Sequence, residues 1–261
     1  MSAAVVRVSP AWLELREPAD AAARSTELVE LLLPRLPATE RLVVHDLGGG
    51  SGAMGRWLAP RLPGPQHWVV HVRDERLLEL AADTSETRRS DITRPAPGDL
   101  ADAGLVTASA LLDLLTADEL AGMLGACTAI GCPVLLALTV VGRVALIPGD
   151  PLDARVAAAF DAHQRRTTPA GRLLGPDAVP AVVEELRGTG AEVLVRASPW
   201  RLDAAHADLI AEWFCGWLAA ACEQDPALAG DAGGYRDRRL AQAAAGKLAA
   251  FVDHADLLVL P

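Results

Sequence analysis

Residues 43–55 read Val-Val-His-Asp-Leu-Gly-Gly-Gly-Ser-Gly-Ala-Met-Gly, a short apolar run followed by an acid and a cluster of glycines. The apolar run predicts a buried strand, and the residues after the glycines predict a helix. Glycines in a tight strand-to-helix turn let the backbone approach a ligand closely, because no Cβ stands in the way. Free N–H groups at the start of the helix face the same place. The stretch therefore predicts a loop that binds a nucleotide-like cofactor.

Two cofactors compete for this loop. Gly50, Gly52 and Gly55 fit the pattern G-x-G-x-x-G, which binds a pyrophosphate and favours an NAD(P)-dependent oxidoreductase. Asp46 argues against that interpretation, because a carboxylate beside the loop repels a pyrophosphate and attracts cationic or hydroxyl-bearing groups. The oxidoreductase remains an alternative, and the acid favours a different cofactor.

The segment 44–52 resembles motif I of the class I S-adenosylmethionine-dependent methyltransferases, in which two apolar residues, an acid and an apolar residue precede Gly-x-Gly-x-Gly. His45 is the one departure from that pattern. The resemblance implies S-adenosylmethionine as the cofactor. It also implies an α/β, Rossmann-like fold with a seven-stranded, mostly parallel sheet flanked by helices. The residues that it places against the aminoacyl part of the cofactor are Asp46, Gly48, Gly49, Gly50 and Gly52.

The second strand, predicted over 67–72, departs from the family at its end. The resembled enzymes place an acid there that binds the ribose hydroxyls, whereas this chain has Val72. Asp74 is the candidate replacement, or Glu75 with a longer reach, although an acid before Glu75 is equally typical of an ordinary helix N-cap. The missing acid motivates an alternative function, a weakly active or inactive methyltransferase-like scaffold or binding protein.

Two later strand ends also resemble the family. Asp91 and Ile92 match the position beside the adenine, although Ser-Asp pairs are common in turns. The segment 104–113 resembles motif IV, which implies that Ser109, Ala110 and Leu111 line the cofactor. Asp113 either faces the pocket as a polar substrate-binding group or begins a helix.

The acceptor side of the site is predicted beyond the fifth strand. Arg143 follows that strand and is suited to a carboxylate or phosphate of the substrate. His163 is the candidate general base, because a neutral imidazole can accept a proton, and a surface histidine is the alternative. Tyr235 follows two glycines on a predicted loop, from which it reaches the pocket or remains at the surface. Stretches at 160–166, 174–178 and 198–202 resemble a bacterial branch of small-molecule methyltransferases. The implied reaction is methyl transfer to an oxygen or nitrogen of a small molecule.

The chain alternates helices and strands in the order expected of one α/β domain. We predict helices from Pro10 and over 19–33, and a methyltransferase-like domain over 41–261. The resemblance implies that residues 1–40 form a helical cover over the active site, and packing against the sheet is the alternative. Strands are predicted at 42–47, 67–72, near 87–91, 105–109, 134–140 and 256–260. Helices at about 204–223 and 236–252 form an insertion before the last strand. This insertion walls the substrate pocket or forms a homodimer face.

Composition narrows the class of partner. The 261 residues are 51% hydrophobic, and the formal net charge is −10, which argues against nucleic acid and anionic membranes. No apolar run approaches the roughly 20 residues of a membrane span, and the first residues do not resemble a signal peptide, so we expect a cytoplasmic protein. The four cysteines form no C-x-x-C pair and have no histidine at ligand spacing, so we expect no metal site.

Overall fold

A computed structural model describes residues 9–72, 86–93 and 98–261. The helices are α1 (Pro10–Ala23), α2 (Thr26–Leu32), α3 (Ala53–Leu58), α4 (Ala117–Ile130), α5 (Asp153–Gln164), α6 (Ala178–Glu185), α7 (Ala207–Gln224) and α8 (Ala229–Ala244). The strands are β1 (Leu42–Leu47), β2 (Gln66–Val72), β3 (Glu86–Arg89), β4 (Leu105–Ser109), β5 (Val134–Ile147), β6 (Thr167–Thr168), β7 (Gly171–Arg172), β8 (Glu192–Ala197), β9 (Trp200–Leu202) and β10 (Ala249–Leu260).

The main sheet has the order β3-β2-β1-β4-β5-β10-β8, with β9 paired to β10. Its first five strands are parallel, and β10 runs antiparallel to β5, β8 and β9. The chain moves outward from β1 to β3 and then returns to the other side of β1 as β4. Ligands of open α/β sheets bind at such a switch point, at the carboxyl ends of the strands. The predicted Rossmann-like, mostly parallel α/β fold is confirmed.

Helices cover both faces of the parallel strands. On one face, α4 and α6 pack against residues such as Leu47 and Val106. On the other face, α2 and α3 pack against residues such as Val44 and Leu105. Burial on both faces explains why these strands are nearly continuous apolar runs in the sequence. The carboxyl edge, where β1 and β4 end, remains available for a site.

The outer halves of β5 and β10 form a ribbon beyond the parallel strands, and a separate apolar cluster builds on it. Phe214 and Trp217 of α7 are buried there, together with Tyr235 of α8. The helical insertion before the last strand is therefore confirmed. Its second helix covers 229–244 instead of 236–252, because Gly233 and Gly234 continue the helix. β10 accordingly starts at Ala249 and not at 256.

Other bounds also differ from the prediction. The segment 19–33, predicted as one helix, is divided between α1 and α2. Helix α1 ends at Ala23, and Ser25 is the N-cap of α2. β5 continues to Ile147, since its outer half pairs with β10. Strand β8 had no predicted bounds. Within the described part of the chain, no helix is both long and apolar enough to cross a membrane.

Candidate functional site

The glycine loop joins β1 to α3 at the switch point of the sheet. Gly48, Gly50 and Gly52 have φ angles of +70°, +52° and +77°, a region that side chains with a Cβ rarely adopt. The Gly48 N–H donates to the carbonyl of His71 at 2.9 Å, which ties the loop to β2. The Gly52 N–H donates to the carbonyl of Gly49 at 2.8 Å and closes the turn. The loop conformation therefore depends on these glycines.

Asp46 lies directly beneath the loop. Its side chain is fully buried, and Oδ1 accepts a hydrogen bond from Oγ1 of Thr107 at 2.8 Å. Its other oxygen, Oδ2, has no hydrogen-bond partner, and a Cβ at position 49 would lie 2.3 Å from it. Burial raises the pKa of Asp46 to about 7, against the opposing effects of the Thr107 hydrogen bond and of Arg24. The carboxylate of Asp46 therefore packs directly against the backbone of Gly49.

Residues from two other strand ends surround the loop. A Cβ at Gly48 would lie 3.3 Å from Cδ1 of Ile92 and 3.4 Å from Cδ1 of Leu111. Ala110 has a φ of +51°, which is unusual for a residue with a side chain and typical of strained backbone at functional sites. The structure therefore brings Ile92 and Leu111 together with Gly48, and Ala110 immediately precedes Leu111 in the chain. Asp91 is exposed and accepts hydrogen bonds from the backbone and hydroxyl of Thr93, as in an ordinary turn.

Helix α1 lies over the glycine loop. Cδ1 of Leu13 would be 3.6 Å from a Cβ at Gly50. The Glu17 carboxylate accepts two hydrogen bonds from Arg56 of α3, at 2.7 and 2.5 Å. Arg56 also donates to the carbonyl of Ser51 at 2.7 Å. Helix α1 is therefore held against the loop and the start of α3.

Arg24 ends α1 inside the protein, with 4% of its surface exposed. Its Nη2 donates to Oγ of Ser109 at 3.2 Å, and its guanidinium carbon lies 5.5 Å from the ring centre of Trp57. Nε and Nη1 are buried and have no hydrogen-bond partner. The local sequence did not indicate this residue, because an arginine at the end of a surface helix is ordinary.

Asp113 lies in a short 3₁₀ turn, Leu112–Leu114, two residues beyond Leu111. It is half-buried, and no other described side chain hydrogen bonds to its carboxylate. Burial raises its pKa, whereas a hydrogen bond from its own backbone N–H and the charges of Arg16 on α1 and of Arg166 beyond α5 lower it. Asp113 is therefore a partly buried carboxylate on which two cationic groups act, and no described side chain hydrogen bonds to it.

The structure places two predicted acceptor-binding residues beside carboxylates elsewhere in the protein. Nε2 of His163 lies 3.2 Å from Glu223, so this imidazole bridges α5 and α7. Arg143 is exposed over 78% of its side chain and contacts Asp253 at 2.9 Å. Neither residue has a contact with the glycine loop among the described interactions.

The prediction that Tyr235 lies on a loop is wrong. It lies in α8 with no exposed surface, and its hydroxyl donates to Oδ1 of Asp153 at 2.5 Å. Arg239 binds the same carboxylate. Burial, together with the hydrogen bond to Asp153, raises the pKa of Tyr235. A side chain that is enclosed and hydrogen-bonded in this way is part of the core.

The end of β2 bears no acid. Val72 is buried with 3% exposure, and Asp74 lies outside the described residues. Within the ranges 9–72, 86–93 and 98–261, no three histidine, cysteine, aspartate or glutamate side chains are grouped as metal ligands would be.

A buried chain of hydrogen bonds explains the departure at His45. Nδ1 of His45 lies 2.9 Å from Nε2 of His71, and its Nε2 lies 3.0 Å from Asp102. Nδ1 of His71 lies 2.7 Å from Oγ of Ser90. Since the Asp102 carboxylate only accepts, both imidazoles are satisfied in neutral form if each donates toward Asp102. The sequence pattern alone did not reveal this pairing of β1 with β2.

No protein-family model matches the sequence, and no curated protein matches it. Three solved structures are among those similar to the chain. The YcgJ protein of Bacillus subtilis has 11% identity and a TM-score of 0.50, over 90% of this chain and 97% of that protein. The cyclopropane synthase MmaA2 of Mycobacterium tuberculosis has 13% identity and a TM-score of 0.51, and the match covers 97% of this chain and 95% of that protein. An S-adenosylmethionine-dependent methyltransferase of Geobacter sulfurreducens, solved with S-adenosylhomocysteine, has 14% identity and a TM-score of 0.47. The match covers 97% of this chain and 98% of that protein.

At these identities the likeness concerns the fold. The chain therefore shares its Rossmann-like, mostly parallel α/β fold with the YcgJ protein and the cyclopropane synthase.

Proposed function

We propose that the protein is an S-adenosylmethionine-dependent methyltransferase that acts on an oxygen or nitrogen of a small molecule. The main support is the glycine loop at the switch point between β1 and β4, where Gly48, Gly50 and Gly52 have positive φ angles. An exposed backbone at this edge of the sheet is suited to a nucleotide-like ligand. The same loop is the part of the chain that resembles motif I.

The residues around the loop fit this cofactor. Oδ2 of Asp46 is a buried acceptor without a partner beneath the loop, which suits a ligand with a cationic end. A Cβ at position 49 would clash with that oxygen, so the loop closes on the acid only if the residue is glycine. The residues proposed to hold the aminoacyl end are Asp46, Gly48, Gly49, Gly50 and Gly52. Asp91 and Ile92 are proposed beside the adenine, Ser109 to Leu111 along the cofactor, and Asp74 at the ribose.

S-adenosylmethionine supplies an activated methyl group when bound, so the protein needs chiefly to align donor and acceptor and to exclude water. Residues 1–40 are the proposed cover, and the contact of Leu13 with the loop supports this role. The bidentate pair of Glu17 with Arg56 holds the cover closed. Such enclosure strengthens the electrostatic interactions inside the site.

We propose Asp113 as the group that contacts the acceptor and accepts its proton. Its carboxylate has no competing side-chain hydrogen bond, and its raised pKa brings it closer to the value that suits a base near neutral pH. Arg166 adds a positive charge that acts on Asp113, which suits an acceptor with an anionic group, whereas Arg16 is already paired with Asp20. His163, the base expected from the sequence, is instead paired with Glu223, and Arg143 with Asp253.

A catalytically weak scaffold is the second candidate, and Val72 supports it. Without an acid at the end of β2, one conventional contact to the ribose is missing. The NAD(P) alternative is less well supported, because the buried Asp46 carboxylate beneath the loop disfavours a pyrophosphate.

Thermal unfolding with added ligand separates these functions, because a ligand that binds the folded state raises the melting temperature. We expect S-adenosylhomocysteine to raise it and NADH and NADPH to leave it unchanged. The reverse result would replace the proposal by the oxidoreductase.

A measurement of cofactor turnover then distinguishes an active methyltransferase from a scaffold that only binds the cofactor. S-adenosylhomocysteine formation is measured with a panel of small hydroxy acids, amino acids and phenols. For an acceptor that reacts, Asp113→Asn is expected to lower kcat by about 10²–10⁴-fold. His163→Gln is the matched control and should retain most of the activity. Cofactor binding without turnover across the panel would favour the scaffold.

A further inference from the structure

Arg24 has hydrogen-bonding capacity that the protein does not use. Its guanidinium is 4% exposed, and three of its N–H bonds, one on Nε and two on Nη1, have no acceptor. Buried donors without acceptors are costly and are rare in native proteins. The only side-chain acceptor of Arg24 within the described residues is the neutral hydroxyl of Ser109. An acceptor from outside the chain would therefore stabilise this group.

The neighbouring carboxylates are already committed. Asp20 accepts from Arg16 and from the indole of Trp200. Asp256 accepts from the backbone of Ser25 and Leu138 and from the hydroxyl of Ser198. Burial lowers the pKa of Arg24, and the charges of both carboxylates oppose this shift although neither carboxylate hydrogen bonds to the guanidinium.

The location of Arg24 identifies the ligand group. Its partner Ser109 immediately follows Ala108, which pairs with Leu47 at the end of β1, and Gly48 follows Leu47. The guanidinium therefore lies where the glycine loop begins. Asp46, on the same side of the sheet, also acts electrostatically on Arg24. A buried cation and a buried acid beside one loop are complementary to a zwitterion.

We propose that Arg24 binds the carboxylate of the cofactor's aminoacyl group and makes the site selective for the carboxylate-bearing form. This inference rests on the proposed function. A guanidinium forms its strongest hydrogen bonds with carboxylates and phosphates. Because Arg24 ends α1, carboxylate binding also joins the cofactor to the cover.

The test compares two ligands that differ only in this group, S-adenosylhomocysteine and decarboxylated S-adenosylhomocysteine, by calorimetric titration. We expect the wild-type protein to bind the carboxylate form about 10- to 100-fold more tightly. Arg24→Met, which retains the stem packed on Trp57, should bind both ligands equally, with the wild-type affinity for the decarboxylated form. Arg155→Met removes an exposed arginine on α5 and should preserve the wild-type preference.

Equal affinity of the wild-type protein for the two ligands would overturn the assignment, whether or not Arg24→Met folds. The assignment would also be overturned if Arg24→Met retained the preference for the carboxylate form. That result is expected if Arg24 instead binds a water molecule shared with Asp46, or binds an anionic group of the acceptor. Absence of binding of either ligand to the wild-type protein would overturn both this assignment and the proposed function. Binding without a preference would overturn the assignment alone.

Discussion

Gly49 lies so close above Asp46 that a methyl group at position 49 would be 2.3 Å from Oδ2 of the acid and 2.7 Å from Cγ1 of Val70. Neither neighbour can move freely, because Asp46 is fully buried in the sheet and Val70 is 1% exposed. We expect Gly49→Ala to lower the free energy of unfolding by about 1–3 kcal/mol, as overpacking does. Displacement of the loop should also weaken S-adenosylhomocysteine binding at least tenfold, measured by calorimetry.

Gly125→Ala is the control for this substitution. Gly125 lies within α4, and apart from its chain neighbours and the backbone of its own helix no described atom lies within 4 Å of the Cβ that alanine would add. Alanine in a helix interior is favoured over glycine by roughly 0.5–1 kcal/mol, so this variant should be slightly more stable and bind normally. Equal behaviour of the two variants would show that the loop does not depend on Gly49.

Asp46→Asn should change how stability depends on pH. Burial raises the pKa of Asp46 to about 7 in the folded protein, from 3.8 for an unperturbed aspartate. Between these values the folded state retains a proton that the unfolded state has lost, so rising pH destabilises the wild-type protein. Asparagine removes this effect. From pH 4 to pH 8, the stability of the variant relative to the wild type should rise by on the order of 3 kcal/mol.

Urea denaturation at several pH values measures this difference. A difference between variant and wild type that stays constant from pH 4 to pH 8 would contradict the burial assigned to the carboxylate. Lower S-adenosylhomocysteine affinity in the same variant, despite greater stability at pH 8, would support a role of the acid in the site.

The His45–His71 pair predicts the opposite dependence on pH. Burial, with smaller effects of His45 and Arg88, lowers the pKa of His71 to about 4 from 6.5, while Asp99 and Glu86 oppose the shift. As pH falls from 6.5 to 4, the unfolded state takes up a proton that the folded state does not, so the folded state loses stability. His71→Gln should be less stable at pH 7.5 and lose less stability on acidification. Parallel pH profiles of variant and wild type would refute a neutral, buried imidazole.

Tyr235→Phe separates a core residue from a substrate-binding one. The substitution removes the hydroxyl that donates to Asp153 but retains the ring. We expect a loss of about 0.5–1.5 kcal/mol in unfolding free energy, with unchanged cofactor affinity and turnover. Lower kcat or higher KM at unchanged stability would restore the substrate role expected from the sequence.

Local patterns predicted the parallel strands accurately. β1 and β4 have the expected bounds, 42–47 and 105–109, because fully buried strands are short apolar runs that end at glycines or small residues. Burial of a strand on both faces leaves few alternatives. The loop from Gly48 to Gly52 was predictable for a related reason, since glycines are required where φ is positive.

Features that depend on distant pairing were not predictable. Arg24 contacts Ser109, 85 residues later in the chain, and nothing near Arg24 indicates that it is buried. His45 breaks the apolar pattern of β1 because its partner His71 lies on a neighbouring strand. Gly233 and Gly234 predict a loop, although the packing of Tyr235 keeps them helical. In each case tertiary contacts outweigh local propensity.

The most direct test of the account is calorimetric titration of the purified protein with S-adenosylhomocysteine, beside Gly49→Ala and Gly125→Ala. We predict one site with a dissociation constant of micromolar order in the wild-type protein and in Gly125→Ala, and weaker binding in Gly49→Ala. Absence of heat exchange at millimolar ligand, or equal binding by all three proteins, would contradict the claim that this glycine loop is the cofactor site.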